Sequence, residues 1–253
     1  MTFVLHSKHT NYLYTIDIFV PESECPTEGF PVIYVLDGLS YFDFAKKAIE
    51  LQSKNAIKTS VNPSIVVGIN HQRETMHSRR FYDYTAPSLE YTYPRRMYGR
   101  EPEAVGGAIE FHLFMEKELK PLIYDELTVN MRDETLFGHS LGGYYVLWNL
   151  FHYSRDFTKY IALSPSIWWN DYELFEMGDL FIKNKGTCQS LFIGVGELEG
   201  FMVKDALIMY EKLAKNGMNI GFYEALEENH ASVVPTVISR SFRYGNESKL
   251  VIL

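Results

Sequence analysis

The segment Gly138-His139-Ser140-Leu141-Gly142-Gly143 matches G-x-S-x-G, the spacing that presents a serine as a nucleophile. With glycine near 7% of residues, a chain of this length meets the pattern by chance about 5–10% of the time, so context must carry the argument. The context is right. A short apolar run, 135–137, precedes the motif, and a helical run over 141–151 follows it. A strand-to-helix turn this tight forces the serine into a strained backbone, and flanking glycines remove the Cβ clashes. The hydroxyl then stands above a helix N-terminus, which favours developing negative charge. The bland alternative is a glycine-rich turn capped by a serine.

A serine nucleophile needs a base, and the base needs an orienting acid. Of the eight histidines, only His152 and His230 lie downstream of Ser140, where the chain order Ser, acid, His requires the base. His152 falls within the helix that the motif opens, about three turns or roughly 16–18 Å along its axis. His230 lies in Glu228-Asn229-His230-Ala231-Ser232, after the last strand-like run, where a loop can swing it over the serine. For the acid, Gly196-Glu197-Leu198-Glu199 follows the run 191–195 and offers two glutamates. A common placement three residues past the closing glycine favours Glu199, with Glu197 as the alternative. Either could instead be a solvated loop carboxylate or a helix cap. The oxyanion hole needs two backbone N–H groups. Leu141 supplies one, and Gly38 or Leu39, after the run 32–36, supplies the other.

These groups need a scaffold. Runs rich in β-branched and aromatic residues occur at 12–20, 32–36, 65–69, 135–137, 160–163, 191–195 and 220–223. The first alternates as a half-exposed strand does. The later ones are nearly continuous, as in strands buried on both faces of a parallel sheet. Helical spacing fills 104–123, interrupted near its end by Pro121, then 141–151 and 201–215. The alternation predicts an α/β architecture with a mostly parallel sheet flanked by helices and antiparallel strands at the N-terminus. Residues 70–103 break the pattern, being polar and aromatic without a period. Their aromatic content argues for an ordered excursion over the active-site end of the sheet. The segment 168–185 also departs from it. A single domain over 1–253 is expected, with about 73% of the chain's surface buried on folding.

Composition narrows the function. Twenty-four basic residues against 32 acidic give a net charge of −8. The nearest basic cluster, Arg95-Arg96 with Arg100, is short and followed by acids, so nucleic acid is set aside as a partner. Cys25 and Cys188 are far apart and form neither a disulfide framework nor a metal motif. No apolar stretch reaches 18 residues, and the first 20 residues lack a secretory leader pattern. A cytoplasmic enzyme with a small-molecule ester substrate, no membrane partner, no metal and no organic cofactor is the expectation. Its oligomeric state is not readable.

Seven pieces, in order, resemble the esterase family of α/β-hydrolases that includes the enterobactin- and bacillibactin-type trilactone siderophore esterases. They are Val35-Leu36-Asp37-Gly38, Val66-Val67-Gly68-Ile69, Arg80-Phe81-Tyr82-Asp83-Tyr84-Thr85, the serine motif, Ser164-Pro165-Ser166-Ile167-Trp168-Trp169, Gly196-Glu197-Leu198-Glu199 and Glu228-Asn229-His230-Ala231-Ser232-Val233-Val234-Pro235. The resemblance implies an α/β-hydrolase fold and ester hydrolysis through an acyl-enzyme, with Ser140 as nucleophile and His230 as base. It also implies that Trp168, Arg80 and Tyr84 line the substrate cleft. A catecholate siderophore trilactone is one substrate it suggests. Arg73, Arg79, Arg80, Arg95, Arg96 and Arg100 could face such an anion, or could pair with neighbouring acids. The same triad would also serve an acyltransferase or an S-formylglutathione hydrolase, and a non-catalytic binding protein is the remaining alternative.

Overall fold

The computed structural model describes residues 1–99 and 101–245. Arg100, the Arg96 side chain and the end of the 1–253 span lie outside the described residues. In chain order the elements are β1 (Thr2–Ser7), β2 (Tyr12–Phe19), β3 (Phe30–Leu36), α1 (Gly38–Ser53), α2 (Ala56–Thr59), β4 (Ile65–Asn70), α3 (Met76–Tyr84), α4 (Ala108–Phe114), α5 (Lys120–Glu126), β5 (Val129–His139), α6 (Leu141–His152), β6 (Lys159–Leu163), α7 (Glu173–Lys183), β7 (Ser190–Gly196), α8 (Phe201–Lys215), β8 (Ile220–Ala225) and α9 (Val233–Ser241). The strands form one sheet in the order β1-β2-β4-β3-β5-β6-β7-β8. β2 is antiparallel to both its neighbours, and the strands from β4 across to β8 run parallel. This is the α/β-hydrolase fold.

Alternation along the strands divides the core. Val32, Tyr34 and Leu36 of β3 face one layer, with Leu136 of β5 and the α6 residues. Ile33 and Val35 face the other, with Phe137, Ile161, Phe192 and the apolar sides of α1 and α9. Parallel strands need both faces covered, and these two helix layers supply that. The register pairs His139 with Leu163, Leu163 with Gly194, and Gly196 with Ala225. The carboxyl ends of β5 to β8 are therefore level, and the loops that leave them converge at one edge, the usual place for a ligand in an open α/β sheet.

Four elements carry little sequence signal. β1 half-buries only Phe3 and Leu5 and fully buries only the polar Ser7. α1 buries just Gly38, Ala45, Ile49 and Gln52, too sparse a stripe to read. α7 lies inside the unassigned stretch 168–185. α3 forms the start of the 70–103 excursion, and the residues it buries, Asp83 and Tyr84, are polar. The Asp83 carboxylate is buried because Tyr14 Oη (2.6 Å), His71 Nε2 (2.9 Å) and Arg79 Nη2 (2.8 Å) surround it. A hydrophobic period is blind to a helix anchored this way. Pro121 does not end its helix. A π turn over Met115–Leu119 precedes it, and helix resumes through Glu126. The wider turn accommodates a ring that lacks an N–H and would clash with the carbonyl four residues back.

Candidate active site

Ser140 sits between β5 and α6 with φ 58° and ψ −117°, a conformation that costs a non-glycine residue about 1–3 kcal/mol. Packing enforces it. A Cβ on Gly138 would lie 2.3 Å from Gly142 O, so only glycine lets the chain fold back this sharply. Ser140 N–H donates to Leu163 O (3.0 Å) and Ser140 O accepts Ser166 N–H (3.0 Å), tying the turn to the end of β6.

Ser140 Oγ lies 3.0 Å from His230 Nε2, and His230 Nδ1 lies 2.6 Å from Glu199 Oε2. A carboxylate only accepts, so Nδ1 carries the proton and Nε2 is left as acceptor for the serine hydroxyl. His230 is held by its own loop. Asn229 N–H donates to Ser232 Oγ (3.0 Å), and Ala231 N–H donates to Asn229 Oδ1 (2.9 Å). That pattern explains the Asn-His-Ala-Ser spacing ahead of α9.

Of the two glutamates, Glu199 meets the histidine. Gly196, Glu197, Leu198 and Glu199 form one 3-10 turn, which carries the Glu199 side chain back to the strand end. There Glu199 Oε1 accepts Gly196 N–H (2.7 Å) and Ser164 Oγ–H (2.5 Å). Burial pushes the Glu199 carboxyl up, but the bonds from His230, Ser164 and Gly196 outweigh it and hold it below the usual carboxylate range. Glu197 is turned away. Its Oε2 accepts Glu227 N–H (2.8 Å), which pins the acid loop to the histidine loop.

Leu141 and Gly38 each open a helix, α6 and α1, so their amides belong to the first turn that a helix leaves without internal acceptors. Leu39 follows, with its side chain 39% exposed. The two helix starts are close together: a Cβ on Gly142 would lie 3.4 Å from Asp37 Oδ2. This pair of N-termini can hold a developing oxyanion.

A cleft of about 300 Å³ is lined by Thr92, Pro94, Trp168, Asp171, Tyr172 and Phe201. Trp168 stands two residues past Ser166, whose Oγ is 3.4 Å from Ser140 Oγ, and Phe201 two residues past Glu199. The excursion supplies Thr92 and Pro94, and Thr92 N–H donates to Asn170 Oδ1 (2.9 Å). Among the described residues, no group of three or more His, Cys, Asp and Glu gathers as metal ligands do. No described helix is long and apolar enough to cross a membrane.

Two expected cleft residues lie elsewhere. Tyr84 is fully buried among His71, Phe111 and Tyr145 and cannot reach a substrate. Arg80 does not line the cleft; it forms a bidentate pair with Asp37 at 2.6 and 2.9 Å. Arg79 is likewise paired, with Asp83. The sequence did not single out Ser164, Ser166 or Tyr41. Tyr41 Oη meets His139 Nδ1 at 2.8 Å, and the His139 ring packs 4.5 Å from that of His230. Burial, then the neighbouring His230 and Arg80, push His139 well down, so it stays neutral beside His230. The paired serines of Ser-Pro-Ser were the signal for two of these three.

The family model described as "Putative esterase" matches residues 7–233. The chain belongs to this esterase family. It is therefore a carboxylic ester hydrolase. Within the family, the ferri-bacillibactin esterase of Bacillus subtilis is 36% identical over 252 residues, covering 95% of this chain and 87% of that protein. The siderophore enterobactin esterase of Emericella nidulans is 26% identical over 263 residues, covering 89% and 87%. The crystal structure of the BES protein from Bacillus cereus superposes with a TM-score of 0.89 at 36% identity, covering 97% of this chain and 95% of that one.

Proposed function

We propose that this esterase is a serine hydrolase that opens the ester bonds of a catecholate siderophore trilactone through an acyl-enzyme. The observation that carries the reading is the unbroken chain from Ser140 Oγ through His230 to Glu199, at 3.0 and 2.6 Å. Ser140 Oγ attacks the ester carbonyl carbon as His230 Nε2 takes its proton. Glu199 keeps the imidazole in the right tautomer and stabilises its cationic form. The tetrahedral oxyanion lies against the amide of Leu141 and that of Gly38 or Leu39. Collapse breaks the bond to the leaving alkoxide, which takes the proton from His230. Water, deprotonated by His230, then attacks the acyl carbon and frees Ser140 with release of the carboxylic acid.

The substrate class rests on two supports. Relatives covering nearly the whole chain carry the names of bacillibactin and enterobactin esterases. The cleft whose walls include Trp168, two residues past Ser166, and Phe201, two residues past Glu199, presents with Tyr172 flat surfaces suited to aryl groups. The test is mass-spectrometric product analysis with apo and ferric catecholate trilactones in 18O-labelled water. One labelled oxygen in each new carboxylate, with no turnover by Ser140→Ala, is the expected result. Opening of simple aryl esters but not of any trilactone would refute the substrate class. Preferential capture of the acyl group by added alcohol would mean acyl transfer instead.

A further inference from the structure

Arg80 sits on α3, far along the chain from the serine turn, yet it holds a carboxylate beside the oxyanion hole. Its Nε and Nη2 donate to the two oxygens of Asp37. This side-on geometry is the strong form of the arginine–carboxylate contact. Asp37 closes β3 and precedes the first turn of α1, with φ 54° and ψ 47°, the left-handed region that a non-glycine residue adopts only under constraint. Its O accepts the N–H of Ser40 (2.9 Å) and of Tyr41 (3.2 Å). Its own N–H donates to Tyr84 Oη (3.3 Å). One helix of the excursion therefore grips Asp37 at both side chain and backbone. From the other side, β4 presses on the next residue. A Cβ on Gly38 would lie 2.5 Å from Asn70 Oδ1 and 2.9 Å from Gly68 Cα, so β4 packs against Gly38 too closely for any side chain there.

The electrostatics demand a partner for Asp37. Its carboxylate lies beside both helix starts, close to Gly142 of α6. An unpaired anion there would repel the oxyanion and draw on the same amide dipoles. Burial disfavours the Arg80 charge, but Asp37 more than restores it, so the guanidinium stays cationic. Arg79 cannot replace it, because Asp83 holds that guanidinium at 2.8 Å.

We propose that Arg80 and Asp37 are a positioning pair for the reaction: together they fix the Gly38 and Leu39 amides toward the oxyanion, and Arg80 keeps the Asp37 charge from opposing it. The inference rests on the Ser140 esterase reading. It gives α3 a task apart from substrate contact, and it explains why a polar helix of the excursion is anchored under the site.

The test compares a neutral ester, p-nitrophenyl butyrate, with an anionic one, a ferric catecholate trilactone, on the full chain. Arg80→Met is expected to lower kcat about 100-fold on both, the size of one lost oxyanion donor, with KM unchanged. Affinity for a trifluoromethyl ketone, whose hemiketal alkoxide occupies the same hole, should fall by a similar factor. Asp37→Asn combined with Arg80→Met removes both charges and should recover about tenfold in kcat over Arg80→Met alone. It also remains informative if the single variant folds poorly. A raised KM for the ferric ester alone, with the neutral ester untouched, would overturn the proposal and make Arg80 a substrate contact. So would a double variant no better than the single one, or an unchanged ketone affinity. A wild type inert to both esters and to a fluorophosphonate would instead remove the esterase reading, and the pair with it.

Discussion

Replacing Glu199 by Gln separates the roles of the two glutamates more sharply than removing either. The Gln carbonyl can still accept Gly196 N–H and Ser164 Oγ–H, the two bonds that Glu199 Oε1 now takes. Its NH2 then points at His230 Nδ1, where a carboxylate oxygen stands at 2.6 Å. Two donors cannot face each other, so His230 must accept at Nδ1 and carry its proton on Nε2. That proton points at Ser140 Oγ, 3.0 Å away, and the base becomes unable to accept. In a serine protease the equivalent wrong-tautomer change lowers kcat about 10⁴-fold. Here we expect a loss of about 10³- to 10⁴-fold, or roughly 4–5.5 kcal/mol of barrier. Glu197→Gln keeps a carbonyl oxygen to accept Glu227 N–H at the loop surface and loses only a charge, so it should stay within about twofold. Steady-state hydrolysis of a p-nitrophenyl ester measures both. A Glu199→Gln enzyme within tenfold of wild type would refute the reasoning, as would a larger loss in Glu197→Gln.

Three further outcomes follow from the same structure. Because hydrogen bonding lowers the folded Glu199 value, its stabilisation is complete above the ordinary carboxyl value of 4.5 and is lost as the pH falls through the lower folded value. Melting temperatures followed from neutral pH to about pH 3 should show a shallower acid decline in Glu199→Gln than in wild type. Trp168→Ala opens one wall of the cleft and should raise KM for aryl esters about tenfold while leaving alkyl esters nearly unchanged, as paired kinetic titrations would show. Lys120, 3% exposed, sits between Glu116 and Glu134 and donates to Asp156 O at 2.8 Å. Lys120→Met strands the buried Glu134 carboxylate and should cost about 3–5 kcal/mol in urea unfolding, without changing kcat of the folded fraction.

The proposed reaction centre is legible in the sequence because its demands are local. A serine in a tight strand-to-helix turn needs small neighbours, and Gly138 meets Gly142 O at a distance no Cβ tolerates. His230 was found by elimination along the chain, and the structure brings it to the serine. The acid remained open between two glutamates because both lie within one 3-10 turn, and which of them faces inward depends on the Gly196 amide and Ser164. The sheet was legible through its buried runs, while α3 was not. Its inward residues are Asp83 and Tyr84: Tyr14 of β2, His71 just past β4 and Arg79 of α3 itself satisfy the first, and Asp37 N–H meets the hydroxyl of the second. Arg80 is hard to read for a related reason. An arginine-rich polar segment fits an anionic ligand as well as neighbouring acids, and the carboxylate that Arg80 meets, Asp37, is 43 residues away in sequence. Such pairings are set by tertiary contacts, which no local period records.

Intact-mass spectrometry after fluorophosphonate treatment tests directly whether Ser140 is an activated nucleophile. One adduct per chain is expected on wild type, mapped to the Gly138–Gly142 peptide, and none on Ser140→Ala. An unmodified wild type, or an adduct that persists in Ser140→Ala, would contradict it.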